Sequence, residues 1–283
     1  MVIGCQAADM ASAYWSDGKL KIALVGLGAI NRHVLAVLGR VAPTVKVAAI
    51  GLRRDELPMV EVPGAAVIVD PEALRDVDAE IVVEAASREA VTMWGEAALR
   101  YARTFIVSSA SALADEATYQ RMHDLAVAHG SRLLVSSGAV AGIDGLAAVS
   151  HAGVDRLRHQ IIKSPSAWRG TAADSLLGNA GLTVPVSFFR GTARQAGSGY
   201  PANANVAVVT AKASGVGLDV AEIELVADPS ATENRHRIQA SGAFGSMSIE
   251  LHNKPLKDNP KSSQLAALAL VRMIVAQTPG IRF

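Results

Sequence analysis

A single cysteine, Cys5, stands among 283 residues, so no intramolecular disulfide can form and no cysteine cluster can bind a metal. Its place in the first few residues argues against a nucleophilic role, and a reducing, cytoplasmic setting is expected. An excess of charge of one sign is missing too. Lys and Arg number 27 against 26 Asp and Glu, a formal net charge of +1, without the basic field that nucleic-acid binding requires. Mean hydropathy is +0.27, yet no run approaches the roughly 18 apolar residues of a spanning helix; the richest, Leu265 to Val271, stops at Arg272. Neither nucleic acid nor a membrane is an expected partner. The first 18 residues carry no Lys or Arg and no long apolar core, so residues 1–18 read as a tail and not as a secretory signal. Aromatics make up only 4% of the chain, but hydrophobic residues reach 50% and charged ones 19%, which is the composition of a folded chain with a sizeable core.

From Lys21 onward, short apolar runs alternate with amphipathic stretches: KIALV, a helical stretch over Ile30–Gly39, then VKVAAI, AVIV, IVVEAA, TFIVSSA and RLLVSS. Such alternation builds βαβ units, and strands apolar on both faces belong to a parallel sheet covered on both sides by helices. Glu89–Arg103 and Asp115–Gly130 supply two further helices, the second ending at a glycine. Past about Gly142 the runs become longer and alternate with period two, at Val154–Lys163, Glu222–Asp228, His236–Ser241 and Ser246–His252. That pattern fits a largely antiparallel sheet with one polar face. The expected fold is therefore α/β: a Rossmann-type doubly wound parallel sheet over residues 19–142, and a second α+β domain over 143–260. A final helix, from about Ser262 to Ala276, is expected to pack back on the first domain, so that 261–283 form a third segment. Between Lys163 and Asn203, Gly, Ser, Thr and Pro are frequent around Trp168, Phe188 and Phe189, and the stretch reads as functional loops. An exposed sheet face in the second domain points to a homodimer.

The first apolar run leads straight into GLGAIN, Gly26–Asn31, and then into a helix. In a dinucleotide site the first glycine makes the tight turn, the second lets the backbone approach the pyrophosphate, and the helix N-terminus offers unpaired N–H groups to that anion. Gly26 and Gly28 take the first two roles, Ala29 and Ile30 open the helix, and Asn31 stands where a third glycine is usual. The acidic residue that often follows the second strand is replaced by Gly51 and Leu52, with Arg53 and Arg54 beyond. Arg53 is suited to a 2′-phosphate, which favours NADP while leaving NAD open; a solvated basic turn is the alternative. Ser87 and Ser109 follow the fourth and fifth strands at the carboxyl edge, where such sheets bind ligands. Glu84 is there as well, as a ribose or nicotinamide neighbour or as a strand-end charge. The Ser136–Ser137 pair lacks a G-x-S-x-G elbow, and the histidines are scattered without metal-ligand spacing, so neither a serine nucleophile nor a metal site is expected.

Three further signatures occur in order: SSGAVAGIDGL at Ser136–Leu146, PANANVA at Pro201–Ala207 and DPSATENRHRIQASGAFG at Asp228–Gly245. With GLGAIN and the closing DNPKSSQLAALALVR, they make residues 20–275 resemble the L-aspartate dehydrogenase family. The resemblance implies NAD or NADP as cofactor and interconversion of L-aspartate with oxaloacetate and ammonia. Carried over by position, it implies cofactor contacts at Ala139 and Asn205 and a catalytic histidine at His236. Histidine suits the proton transfers of reductive amination. The other six, His33, His123, His129, His151, His159 and His252, read as solvated or packed. A substrate with two carboxylates needs cationic partners, for which Lys163 and Arg190 are the candidates, each with an ordinary surface role as alternative. Two rivals remain: a related oxidoreductase acting on another small dicarboxylate or imine, and a nucleotide-binding protein without turnover. Whether the product serves NAD biosynthesis or general nitrogen metabolism is left open.

Overall fold

The computed structural model describes residues 20–59, 62–177, 181–201 and 203–280; the tail read over residues 1–18, with Cys5, lies outside the described residues. The first half runs β1 (Lys21–Val25), α1 (Ala29–Val41), β2 (Lys46–Gly51), β3 (Ala66–Ile68), β4 (Ile81–Glu84), α2 (Arg88–Tyr101), β5 (Thr104–Val107), α3 (Glu116–His129) and β6 (Arg132–Val135). These strands form one parallel sheet in the order β3-β2-β1-β4-β5-β6, and the strand order reverses direction at β1 and β4. The C-terminal ends of that pair are where a doubly wound sheet opens a ligand crevice.

Strand alternation assigns the two faces. Ile22, Leu24, Ile81 and Val83 point to one side, where Val34 and Leu38 of α1 meet them. Ala23, Val25, Val82, Phe105 and Val107 point to the other, against Val91, Trp94 and Leu99 of α2 and Met122 of α3. Both faces are dry, so the strands read as continuous apolar runs.

The second half contains α4 (Ile143–Ser150), β7 (Val154–Lys163), α5 (Ala173–Leu177), β8 (Val186–Thr192), α6 (Ala193–Gly199), α7 (Asn205–Ser214), β9 (Glu222–Ala227), β10 (Asn234–Gly242) and β11 (Gly245–Asn253). Its sheet has the order β11-β10-β7-β9-β8, parallel only between β7 and β9 and antiparallel elsewhere. One face packs on α4, α6 and α7 around Leu146, Leu157, Ile161, Trp168, Ala207 and Leu225; the other carries Arg156, Arg158, Gln160, Glu224, Arg237 and Gln239. A small hairpin, β12 (Pro255–Leu256) and β13 (Asn259–Ser263), leads to α8 (Gln264–Val275). Ala267, Leu270 and Ile274 of α8 are fully buried, packed beside α1 on the first sheet.

The stretch read as loops between Lys163 and Asn203 is in fact partly regular. It holds α5, the edge strand β8 and α6. A bulge at Ser187/Phe189 shifts the register of β8, which breaks the period-two signal that would have exposed it. No helix among the described residues is long and apolar enough to cross a membrane.

Candidate active site

The turn between β1 and α1 is held by main-chain and amide bonds. Gly26 has φ +83°, and a Cβ there would lie 2.6 Å from that of Ala86, so only glycine fits. Its N–H donates to the Gly51 carbonyl at 2.8 Å. Asn31 is completely buried, and its Nδ2 donates to the carbonyls of Val25 at 3.0 Å and Gly26 at 2.8 Å. The residue that replaces the third glycine thus staples the loop shut from inside. Gly28 precedes α1 without a side-chain cap, and nothing lies within 4 Å of where its Cβ would be. Open space above that glycine and the uncapped N–H groups of Ala29 and Ile30 together suit a pyrophosphate.

Gly26 and Gly28 line a cleft of about 500 Å³ together with Arg53, Ser87 and Trp94. Trp94 reaches the end of β2, where a Cβ on Gly51 would come within 2.6 Å of its ring. Arg53 sits at the mouth, its Nε and Nη2 donating to Glu56 Oε1 at 3.2 and 2.9 Å. The Glu56 and Asp55 carboxylates hold the guanidinium above its ordinary pKa. Ser87 caps α2, its Oγ accepting from the Ala90 N–H at 3.2 Å.

Ser109 is buried against Glu84. Its hydroxyl donates to Glu84 Oε1 at 2.7 Å and its N–H to Oε2 at 3.0 Å. Glu84, fully buried at the end of β4, also accepts from the N–H groups of Ala86 and Ser108. Burial raises its pKa against the pull of these donors. The pair ties the C-terminal ends of β4 and β5 together.

Loops of the first sheet are fastened to the second domain beside this edge. The Ser111 N–H donates to Asn205 Oδ1 at 2.9 Å, at the first residue of α7, and Asn253 Nδ2 donates to the Ala139 carbonyl at 2.7 Å. Ala139 and Asn205 therefore both stand at the junction of the two halves.

His236 lies in the middle of the second sheet, paired across to Leu251 of β11 and Ile161 of β7, and is 1% exposed. Its Nδ1 is 3.1 Å from Nε2 of His159, and its own Nε2 has no partner. Burial, then the neighbouring His159 and Lys163, push its pKa well below that of a free imidazole. The adjoining Asp228 carboxylate accepts from Ser230 Oγ at 2.6 Å and from Arg235. That clamp holds the β9–β10 connection beside the histidine.

Lys163 ends β7 on the same inward face, 4% exposed. Its Nζ donates to Asn203 Oδ1 at 3.1 Å and the Lys261 carbonyl at 2.8 Å, over the Trp168 ring. Burial, reinforced by the charge of Lys261, brings its pKa down to about 7. Asn203 is buried as well, with Nδ2 unpartnered. Two polar atoms, His236 Nε2 and Asn203 Nδ2, are thus left without protein partners in the region around Lys163.

The structure separates Arg190 from this group. It lies on the opposite face of the sheet, donating through Nη2 to Glu224 Oε1 at 2.9 Å, with 73% of its side chain exposed. The expectation that it holds a substrate carboxylate is corrected: the β8 register sets Arg190 opposite Glu224, on the polar face. The sequence reading gave no site role to Asn203 or to His159. His159 was legible in principle, because it shares parity with the inward Leu157 and Ile161.

Comparisons with known proteins bear on the family and the fold. The family described as "Aspartate dehydrogenase, C-terminal" matches residues 144–277, and "Homoserine dehydrogenase, NAD binding domain" matches residues 26–136. An L-aspartate dehydrogenase from Brucella anthropi is 45% identical over 258 residues, 89% of this chain and 94% of the relative. One from Ruegeria pomeroyi is 37% identical over 269 residues, 95% and 96% of the two chains. Among solved structures, aspartate dehydrogenase from Thermotoga maritima superposes with a TM-score of 0.74 at 24% identity, covering 93% of this chain and 99% of that one.

Proposed function

This chain belongs to the L-aspartate dehydrogenase family, and on that premise we propose how its residues divide the work of interconverting L-aspartate with oxaloacetate and ammonia. The enzyme is an NAD(P)-dependent oxidoreductase. NAD(P), when bound, would supply the hydride acceptor for C2 of aspartate and the hydride donor for C2 of iminosuccinate. The N–H groups of Ala29 and Ile30, beneath the open backbone of Gly28, would hold the pyrophosphate. Ser87 and Arg53 would hold the adenosine end, and Ala139 and Asn205 the nicotinamide end.

In the aminating direction ammonia adds to the ketone of oxaloacetate, the carbinolamine loses water, and the resulting iminosuccinate is reduced. Each stage needs a proton moved. His236 Nε2, buried and without a protein partner, is the observation that carries this reading, because an unpaired lone pair there is an acceptor kept for a ligand. Lys163 and the Nδ2 of Asn203 answer the substrate carboxylates. The test is NAD(P)H consumption with oxaloacetate, with and without ammonium, in wild type and His236→Ala. Consumption that depends on ammonium and falls about 100-fold or more in the variant is the expected result. Consumption independent of ammonium overturns the reaction, and a variant that keeps most of its kcat overturns the role of His236. Arg53→Ala separately probes the cofactor: a rise in KM for NADP relative to NAD supports a 2′-phosphate contact, and an unchanged ratio removes it.

The same reading divides the chain into a cofactor domain (19–142), a catalytic and oligomerisation domain (143–260) and a C-terminal segment (261–283). It places the enzyme in the cytoplasm as a homodimer joined through the polar face of the second sheet.

A further inference from the structure

His159 is a second buried imidazole that the proposed chemistry does not use. It is fully buried on β7, with both ring nitrogens engaged: Nδ1 lies 3.1 Å from Thr210 Oγ1 and Nε2 lies 3.1 Å from His236 Nδ1. The three side chains form one chain of hydrogen bonds from α7 through β7 to β10, and its direction follows from the Thr210 end. Thr210 Oγ1 is 3.0 Å from the Val206 carbonyl and 3.2 Å from that of Ala207. Carbonyl oxygens cannot donate, so the one hydroxyl proton points at them, and the hydroxyl oxygen is left to accept from His159. Its Nδ1 must then carry the proton of the neutral ring and its Nε2 the lone pair. That lone pair in turn requires a proton on Nδ1 of His236.

Resting on the reading of His236 as the proton-transfer group, we infer that His159 and Thr210 are positioning residues, which hold His236 as the Nδ1–H tautomer with the Nε2 lone pair free. Without the Thr210 anchor the pair has a second, equally satisfied arrangement, in which His159 donates and His236 carries its proton on Nε2, where it can no longer accept one. The acceptor at His236 Nδ1 also steadies the imidazolium formed when Nε2 takes up a proton, without placing a second charge in the sheet.

The test is the ¹⁵N spectrum of histidine-labelled, full-length protein, read beside kcat and KM. Wild type is expected to show His236 protonated on Nδ1 and unprotonated on Nε2. His159→Gln, whose amide oxygen can still accept from His236, is expected to keep that spectrum and most of kcat. His159→Leu and Thr210→Val are expected to give mixed tautomers and a kcat about 10- to 100-fold lower with the cofactor KM unchanged. A wild-type His236 protonated on Nε2 overturns the inference, even if no variant folds. So does an unchanged His236 spectrum in both His159→Leu and Thr210→Val, or a His159→Gln that folds but falls as far as His159→Leu. Full activity in His236→Ala would sink the parent reading alone, since the tautomer of His236 is read independently of turnover.

Discussion

An imidazolium in a dry sheet has lost its water shell, and the two buried histidines carry that cost into the pH dependence of stability. Burial brings the pKa of His159 down to about 3 from 6.5 and lowers that of His236 as well. Below pH 6.5 the unfolded chain takes up protons that the folded chain refuses, so folding stability is fully present above that pH and drains away on acidification. For His159 the loss is about 1.4 kcal/mol per pH unit. Calorimetric Tm values between pH 7 and 5 should fall more steeply in wild type than in His159→Gln. Lys163 tests the substrate side at the same scale. Lys163→Met should raise KM for aspartate and oxaloacetate about 10- to 100-fold, the worth of a charged hydrogen bond, and leave cofactor affinity intact. In wild type the same KM should climb as the pH rises past about 7, where the free lysine gives up its proton. The glycine turn and Lys163 were legible from residue type and position. The face occupied by Arg190 was not, because a bulge changes its parity.

Among the elements, α1 owes its placement to an internal amide. Asn31 makes two bonds to main-chain carbonyls that a third glycine would leave unmade. Asn31→Gly should therefore destabilise the protein by about 2 kcal/mol, through lost bonds and poorer helix propensity, and weaken cofactor binding; chemical denaturation and a binding titration check the two effects. Regular elements with one wet face announced themselves. The helix α3, with its Asp115 cap and Gly130 terminus, is one; the alternating β7 and β10 are others. The helix α7 did not, because Val206, Ala207, Val208, Val209, Thr210 and Ala211 are all buried, which erases the polar stripe that periodicity detects.

At the scale of the molecule, the described residues leave the polar face of the second sheet uncovered. The packing of α8 seals the first sheet, and truncating the fully buried Leu270 to Ala should cost about 2–5 kcal/mol, lowering Tm although the β1 and α1 side chains of its cluster are far away in sequence. The open face carries Arg158 and Arg190 around Glu224, with Arg156, Arg237 and Gln239 alongside. In the proposed dimer this face meets a copy of itself, so Gln239→Arg would confront like charges across the two-fold axis. Sedimentation at twice the chain mass in wild type, shifting towards monomer in the variant, is the expected outcome; a wild-type monomer would remove the proposed assembly.

Local patterns by themselves determined the first sheet, four strands of the second, the dinucleotide turn and the run of motifs that marks the family, because each is written in neighbouring residues whose spacing follows the periods of helix and strand. Only the tertiary structure decided that His159 and Thr210 stand behind His236, that Asn203 joins Lys163, and that Arg190 faces away. Those outcomes depend on which residues, dozens of positions apart, meet across a sheet, and strand register is set by packing over the whole core.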